Sequence, residues 1–357
     1  PEEKYESLER VVVDVETWVR RLLSECGIES ESKYDKDRKI TYDSFTKIRG
    51  GSGKSATESG WMWEEYRGVI QGANLGQSDK LDLKEYLDLS RDRGLLEKND
   101  RARKSVYSEV VKFEKKLDKD ESEFSRSKGG WTDQDMTRKA RLLLGEEDKG
   151  GFLDAVFIDE VQDLTRAELE VLLEFLNPDG PQRFAVAGDL SQSIQPSSFT
   201  WQALSDLIYE ILGLKIGKHD TLTENFRATP FLVEAANKIL TLQSELDVEG
   251  TPKLQRPISE ENTGEPGLIF FNDENTITQE LNRLNLPNAG CPMLVRDEDT
   301  KEFLKSRITN HANIITISQF KGLERNSILL WHPSSGSDAI LDKREDPKRG
   351  EFAKKKE

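Results

Sequence analysis

The chain has 357 residues, of which 35% are apolar and 33% are charged, and its net charge is −15. This length accommodates two domains, and without a run of about 18 apolar residues we expect no membrane-spanning helix. The acidic balance argues against a protein that simply coats nucleic acid, although a local basic groove is compatible with it.

Cysteine and histidine are too few to predict a metal centre or a disulfide framework. The chain contains Cys26 and Cys291, and three histidines that lie far apart at 219, 311 and 332. The N-terminus has no signal-peptide pattern. We therefore expect a cytoplasmic protein, or a nuclear one in a eukaryote.

Residues 1–145 form a charged segment with helical periodicity. Apolar residues between Leu8 and Leu23 recur at helical spacing, and Gly27 is a suitable stop. A second long helix is predicted over 101–127, ended by the following glycines.

The residue pattern changes at Phe152, where short apolar runs begin to alternate with helical stretches. Each run has the length of a strand and is bounded by Gly, Pro, Asp or Asn, which predicts an α/β sheet. The charged tail 336–357 is expected to be loose. The runs are FLDAVFID, RFAVAGD, GLIFFND, CPMLVRD, NIITIS and SILLWH.

The first of these strands ends in acidic residues, in the sequence AVFIDEVQD at 155–163. Ligands of open α/β sheets bind at the carboxyl ends of strands. Asp159 there could hold Mg²⁺ through water, and Glu160 could take a proton from an attacking water. The alternative is an ordinary strand followed by an acidic helix cap.

The next strand repeats this design in RFAVAGDLSQSI at 183–194. Gly188 and Asp189 follow the strand, and the amide of Gln192 could sense a γ-phosphate. The alternative is a turn that uses Gly and Asp for backbone reasons.

Two later stretches complete the set. In TLTENFRATPFLVEAAN at 221–237, Arg227 precedes a helix, and its guanidinium suits the charge that develops on a transferred phosphoryl group. In ITISQFKGLERNSILL at 315–330, Lys321–Glu324 lie between two strands. The alternatives are a surface arginine and a plain hairpin-like turn.

In order and approximate spacing, these stretches resemble the motifs of the UvrD/Rep/PcrA-like superfamily 1 DNA helicases. Asp159–Asp163 resembles motif II, Gly188–Ile194 motif III, Asn225–Arg227 the core of motif IV and Lys321–Glu324 motif V. GGWTDQDM at 129–136 resembles the stretch that often precedes motif II. The likeness covers about 103–332.

The resemblance implies partial RecA-like P-loop NTPase lobes in an α/β fold, which hydrolyse ATP with Mg²⁺ and move on single-stranded DNA, typically 3′ to 5′. Asp159 would coordinate Mg²⁺, Glu160 would be the catalytic base, Gln192 would sense the γ-phosphate and Arg227 would be an arginine finger.

Further roles follow from the same resemblance. The implied nucleotide-side residues are Gln162, Asp163, Gly188, Asp189, Gly322 and Glu324, of which Gln162 and Asp163 would tie motif II to motif III. Phe199 and Trp201 would stack on DNA bases, with core packing as the alternative. Gln195 stands where the family often has Tyr, which weakens the DNA contact there.

IRGGSGKSAT at 48–57 looks like a phosphate-binding loop only in part. The pattern G-x-x-x-x-G-K-[ST] requires Gly five residues before Gly53, where this chain has Ile48. We predict that Gly50–Ser55 is a flexible loop, with a short, unusual phosphate loop around Lys54 as the alternative. WMWEEYRGVIQG at 61–72 resembles part of the family's helical insertion.

Motifs I and VI of the family have no match in this sequence. The chain is therefore expected to be the middle of a longer helicase or a degenerate relative, with weak or absent ATPase activity by itself. The alternative function is a non-catalytic helicase-like module that binds nucleic acid or protein. An RNA substrate also stays open.

The predicted domains follow the motifs. They are a helical subdomain at 1–145, a first partial RecA-like lobe with motifs II to IV at 146–250, a linker at 251–267, and a second partial lobe with motif V at 268–335.

Overall fold

The computed structural model describes residues 13–25, 27–29, 33–49, 62–73, 80–89, 100–119, 124–147, 153, 155–176, 183–194, 197–217, 220–245, 253–258, 279–283, 290–308 and 313–331. The chain divides into two compact units, Pro1–Ser259 and Glu260–Glu357. The division falls inside the predicted linker 251–267. The predicted helical subdomain and the predicted first lobe belong to the same unit.

The first unit combines helices with short parallel strands. Its helices are α1 (Val15–Glu25), α2 (Tyr42–Arg49), the π-helix Glu65–Gln71, α3 (Leu83–Asp88), α4 (Asp100–Asp118), α5 (Asp133–Glu147), α6 (Arg166–Glu174), α7 (Trp201–Leu212) and α8 (Pro230–Glu245). Its strands are β1 (Ala155–Ile158), β2 (Arg183–Val186), β3 (Glu224–Asn225) and β4 (Arg256–Pro257). β1 pairs with β2 and β3 pairs with β4, both in parallel.

Helix α6 lies between β1 and β2 in sequence, as parallel pairing of consecutive strands requires a crossover. It begins with a capping box, in which Thr165 and Glu168 satisfy each other's backbone N–H groups. Helix α7 begins at the N-cap Thr200 and ends at Gly213, whose φ of +67° suits glycine.

Three clusters of apolar side chains form the interior of this unit. One joins α1, α5 and α6, a second surrounds the π-helix, α2 and α4, and a third packs α6 and α7 against β1. Val156 and Ile158 of β1 point into the third cluster, while Phe157 between them is 77% exposed, as the alternation of a strand requires.

The helix predicted over 101–127 is shorter in the structure. Helix α4 ends at Asp118, and a separate 3₁₀ turn spans Arg126–Lys128. Gly129 follows this turn with a φ of +90°, so the predicted glycine stop closes the 3₁₀ turn instead of the long helix. The predicted stop at Gly27 is confirmed, because α1 ends at Glu25 and Gly27 has a φ of +79°.

The second unit contains a three-stranded parallel sheet in the order β6–β5–β7. Its elements are β5 (Met293–Val295), α9 (Glu298–Lys305), β6 (Ile314–Thr316), α10 (Ile317–Phe320) and β7 (Leu329–Leu330). Both β6 and β7 run parallel to β5, so the connection that carries Lys321–Glu324 is not a hairpin turn. The run GLIFFND lies outside the described residues.

Within the described part of the chain, no helix is both long enough and apolar enough to cross a membrane.

Candidate functional site

The carboxyl ends of β1 and β2 lie side by side, because the two strands pair in parallel with Ile158 opposite Val186. Backbone hydrogen bonds continue past the strands. The N–H of Ala187 donates to Ile158 O at 2.8 Å, and the N–H of Val161 donates to Ala187 O at 3.0 Å. The residues after each strand, which carry the predicted motifs II and III, therefore meet at one edge.

The backbone turns sharply at the acidic end of β1. Glu160 has a φ of +53°, a left-handed conformation that is uncommon for a residue with a side chain. The N–H of Glu160 donates to Oδ1 of Asp159 at 2.9 Å, and a 3₁₀ turn Val161–Asp163 follows. Asp159 is exposed and Glu160 is half-buried. Both carboxylates are thus placed at the rim of the sheet, where a ligand has access.

Gln162 joins the two strand ends through its side chain. Its Nε2 donates to Oε2 of Glu160, and its Oε1 accepts from the backbone N–H of Asp189 at 3.0 Å. The residue is 1% exposed, so both bonds are shielded from water. The side chain of Gln162 therefore joins the turn after β1 to the loop after β2.

The close approach of the two loops depends on Gly188. A Cβ at this position would lie against the side-chain oxygen Oε1 of Gln162 and 2.8 Å from Cγ1 of Val161. An alanine would force one of these side chains to move. Gly188 is therefore required where the loop after β2 crosses the turn after β1.

The loop after β2 is organised by Asp189. Its carboxylate accepts from the N–H of Ser191 at 2.9 Å and from Nε2 of Gln192 at 2.7 Å, and it caps the 3₁₀ turn Leu190–Gln192. Gln192 is exposed. The candidate phosphate sensor is thus one hydrogen bond from Asp189, and Asp189 is one hydrogen bond from Gln162.

Asp163 forms a second connection between the loops, since its Oδ1 accepts from the N–H of Ile194 at 3.2 Å. Ser197 forms a third, because its Oγ donates to the backbone oxygen of Gln162 and accepts from the N–H of Phe199 at 3.2 Å. These bonds hold the turn Val161–Asp163 on the loop that follows β2.

The two predicted base-stacking aromatics contact each other. The rings of Phe199 and Trp201 are 5.3 Å apart at 80°, an edge-to-face pair, and both are half-buried against the cluster under β1. Packing accounts for this contact, and base stacking stays a prediction.

Arg227 lies on a turn after β3 and is exposed. Oδ1 of Asn225 accepts from the N–H groups of Arg227 and Ala228 at 3.0 and 2.7 Å, and its Nδ2 donates to Oε1 of Gln255 at 2.6 Å. The Asn225 side chain therefore shapes the turn that presents Arg227.

In the second unit, Gly322 and Glu324 follow α10. Gly322 has a φ of +77°, and the N–H of Leu323 donates to Phe320 O at 2.9 Å. Glu324 is exposed. Glycine at this position permits the turn that leads into β7.

A buried ionic group around Arg67 was not predicted from the sequence. Nε and Nη2 of Arg67 donate to Oδ2 of Asp133 at 2.9 and 2.6 Å, and Nη2 lies 3.7 Å from Oε1 of Glu168. Arg67 is 5% exposed. The sequence does contain a feature that indicates this ionic group: an arginine stands within the apolar run Tyr66–Ile70, and a charged side chain buried there requires a buried partner.

Burial and charge act together on these carboxyl groups. Burial opposes the ionised form of Asp133, but the Arg67 guanidinium prevails and lowers the pKa of Asp133 below its usual value. Burial raises the pKa of Glu168, and Arg67 offsets this rise only in part because the Asp133 carboxylate adds to it. Asp133 is therefore the ionised partner of Arg67.

The described residues contain no group of three or more His, Cys, Asp or Glu that could hold a metal ion by itself. Mg²⁺ is commonly held by one or two carboxylates together with water and substrate phosphates. The exposed carboxylate of Asp159 is a ligand of that kind. The segment Gly50–Ser55 lies outside the described residues.

No family model matches the chain. Human TPR and ankyrin repeat-containing protein 1 is 23% identical to it over 311 residues. That alignment covers 81% of this chain but only 10% of the human protein. The likeness therefore relates the chain to a small part of a much longer protein.

Proposed function

We propose that this chain carries the motif II to V region of an ATP-dependent DNA helicase or translocase. One observation supports the proposal above the others: Gln162 joins Glu160, at the end of β1, to Asp189, at the end of β2. A strand-end acid has many explanations when it stands alone. Here a buried amide joins two strand ends, so the position of the loop after β2 could affect the charged carboxylate of Glu160 at the end of β1.

Each residue at this edge would have a separate role in ATP hydrolysis. Asp159 would hold Mg²⁺ through its water shell, and the bound ion would neutralise charge on the nucleotide phosphates. Glu160 would accept a proton from the attacking water, and the amide of Gln162 would hold its carboxylate in position.

Communication with the nucleotide would pass through motif III. A change in the position of Gln192 would act on Asp189, whose carboxylate it contacts at 2.7 Å. Asp189 would transmit the change to Gln162 through its backbone N–H. In the same proposal Arg227 is the arginine finger, Gly322 and Glu324 serve the nucleotide side, and Phe199 and Trp201 contact single-stranded DNA.

ATP turnover with and without single-stranded DNA tests this function. We expect weak turnover that DNA increases and that Glu160→Gln abolishes, while Glu234→Gln, which changes an exposed acid on α8, has no effect. Turnover abolished by Lys54→Ala would make Gly50–Ser55 a phosphate loop. Turnover that Glu160→Gln leaves intact would overturn the proposed role of Glu160.

A second candidate is a non-catalytic module that binds nucleic acid or a protein partner. It is favoured by the human relative, whose name describes repeats of the kind that form binding surfaces. The described parallel strands are not features of a helix-pair TPR unit, however, so the name does not transfer a repeat architecture. Binding of single-stranded DNA with no turnover under any condition would favour this candidate.

A further inference from the structure

The π-helix Glu65–Gln71 has no role in the proposed function, yet it lies beside both segments that frame Gln162. All seven of its residues are buried. π-Helical turns are rare and occur frequently at functional sites. The segments that contact the π-helix therefore indicate which role it could have.

Two glycines allow neighbouring segments to approach the π-helix closely. A Cβ on Gly68 would lie 2.9 Å from Ser198 Oγ and 3.1 Å from the carbonyl carbon of Ser197. A Cβ on Gly72, directly after the helix, would lie 2.9 Å from Cβ of Thr165. The first contact reaches the loop after motif III, and the second reaches the start of α6, directly after motif II.

A backbone hydrogen bond joins the residue after the π-helix to the start of α6, and Arg67 lies beside it. The N–H of Ala167 donates to Gly72 O at 2.9 Å. Arg67 binds Asp133 and lies 3.7 Å from Glu168, which caps α6 through the Thr165 N–H at 2.7 Å. The start of α6 is thereby held against the π-helix by the backbone hydrogen bond from Ala167 to Gly72, and its capping residue Glu168 lies beside the Arg67 guanidinium.

Ser197 completes the path to the site. It packs on Gly68, and its Oγ donates to the backbone oxygen of Gln162. The backbone of Gln162 is thus held by the loop that rests on the π-helix, while its side chain spans Glu160 and Asp189.

We propose that the π-helix Glu65–Gln71 is a positioning element for Gln162. Gly68 supports the Ser197–Ser198 loop, and Gly72 holds the start of α6, so the segments on both sides of Gln162 rest on this helix and the residue after it. The expected effect of the π-helix on nucleotide binding and turnover rests on the proposed function. Its expected effect on the hydrogen bond between Gln162 and Asp189 does not.

Gly68→Ala tests this directly, because the new methyl group must displace the Ser197–Ser198 loop. Hydrogen exchange of the Asp189 amide reports the bond to Gln162 itself. We expect this amide to exchange about tenfold faster in the variant, while amides in the interior of α4 keep their protection. Gly217→Ala, at a glycine with open space around it, is the matched control and leaves the exchange unchanged.

A second-site change separates positioning from general damage. Ser198 has a φ of +55°, so Ser198→Gly relieves its backbone and removes the hydroxyl that a Cβ on residue 68 would meet. We expect the double variant Gly68→Ala/Ser198→Gly to recover part of the lost protection at Asp189. Unchanged exchange at Asp189 in Gly68→Ala, or a uniform increase over the whole first unit, would overturn the proposal.

A measurement of nucleotide binding distinguishes a failure of this inference from a failure of the proposed function. If the wild type binds a fluorescent ATP analogue with Mg²⁺, we expect Gly68→Ala to weaken binding or turnover along with the exchange at Asp189. Absence of binding by the wild type would overturn the proposed function and leave the exchange result to decide the positioning role. Unchanged binding and turnover beside faster Asp189 exchange would overturn the functional consequence of positioning.

Discussion

The side-chain oxygen of Gln162 accepts a hydrogen bond from the backbone N–H of Asp189 at 3.0 Å, across 27 residues of sequence. Because Gln162 is 1% exposed, water cannot readily replace this bond if the loops separate. A displacement of the loop after β2 must therefore either carry the Gln162 side chain with it or leave a buried polar group unpaired.

Replacing Gln162 by glutamate keeps the side-chain size but removes the Nε2 donor that contacts Glu160. It also places a second carboxylate beside the first. We expect the free energy of unfolding to fall by about 1–3 kcal/mol, the usual cost of a buried polar group that loses its partner. Urea unfolding measures this. Gln202→Glu, on the exposed face of α7, is the control, and an equal loss in both variants would contradict the account.

Gly188→Ala tests the close crossing of the two loops. Its methyl group would meet the Gln162 side chain and lie 2.8 Å from Val161 Cγ1. Overpacking of this kind destabilises by about 1–3 kcal/mol. Gly217→Ala has open space and should leave the urea midpoint unchanged or slightly higher. If the two alanines had the same effect, the crossing would not be tight.

Arg67→Met removes the cation from the buried pair with Asp133. The half-buried Asp133 carboxylate remains without its partner, and the expected loss of unfolding free energy is at most about 3–5 kcal/mol, the cost of breaking a fully buried pair. The double variant Arg67→Met/Asp133→Leu removes both charges and should recover much of that loss. Lys238→Met, which breaks the exposed pair with Glu234, should leave the urea midpoint near that of the wild type. A double variant as unstable as Arg67→Met would refute this explanation.

The free energy of unfolding should depend on pH through Asp133 and Glu168, and the two carboxyl groups should act in opposite directions. The folded-state pKa of Asp133 is lowered, because Arg67 outweighs the effect of burial. Its contribution is complete above the usual pKa of aspartate and is lost as the pH falls through the folded-state value. Asp133→Asn should therefore weaken the acid-side decline of the urea midpoint.

The folded-state pKa of Glu168 is raised by burial, with Asp133 adding to the rise. Its contribution is complete below the usual pKa of glutamate and is lost as the pH rises through the folded-state value. Glu168→Gln should flatten this second slope. Urea midpoints measured across the acid range test both variants, and slopes identical to that of the wild type would show that these carboxyl groups are not linked to folding.

The strands that carry the candidate site could be predicted from the sequence. Val156 and Ile158 alternate with Phe157 in a short run that ends in Asp and Glu, and the run ending in Gly188 and Asp189 has the same pattern. Such local signals suffice because a strand of this kind is specified by its own apolar residues and by the turn residues after it.

The end of α4 was predicted wrongly although the local sequence carries a signal for it, whereas the partner of Arg67 was beyond local reasoning. After Leu117 the sequence reads DKDESE, which offers no apolar residue for packing and places acids at a helix C-terminus, where they oppose the dipole. The Arg67–Asp133 pair joins residues 66 apart in sequence. Only the folded chain brings them together, so the periodicity of either segment could not show it.

The measurement that tests the central claim most directly is titration of a fluorescent ATP analogue, with and without Mg²⁺, into the wild type, Asp159→Asn and Glu234→Gln. We predict saturable binding that requires Mg²⁺, is weakened about tenfold by Asp159→Asn and is unchanged by Glu234→Gln. Absence of binding by the wild type, or equal affinity of the wild type and Asp159→Asn, would contradict a nucleotide site at the ends of β1 and β2.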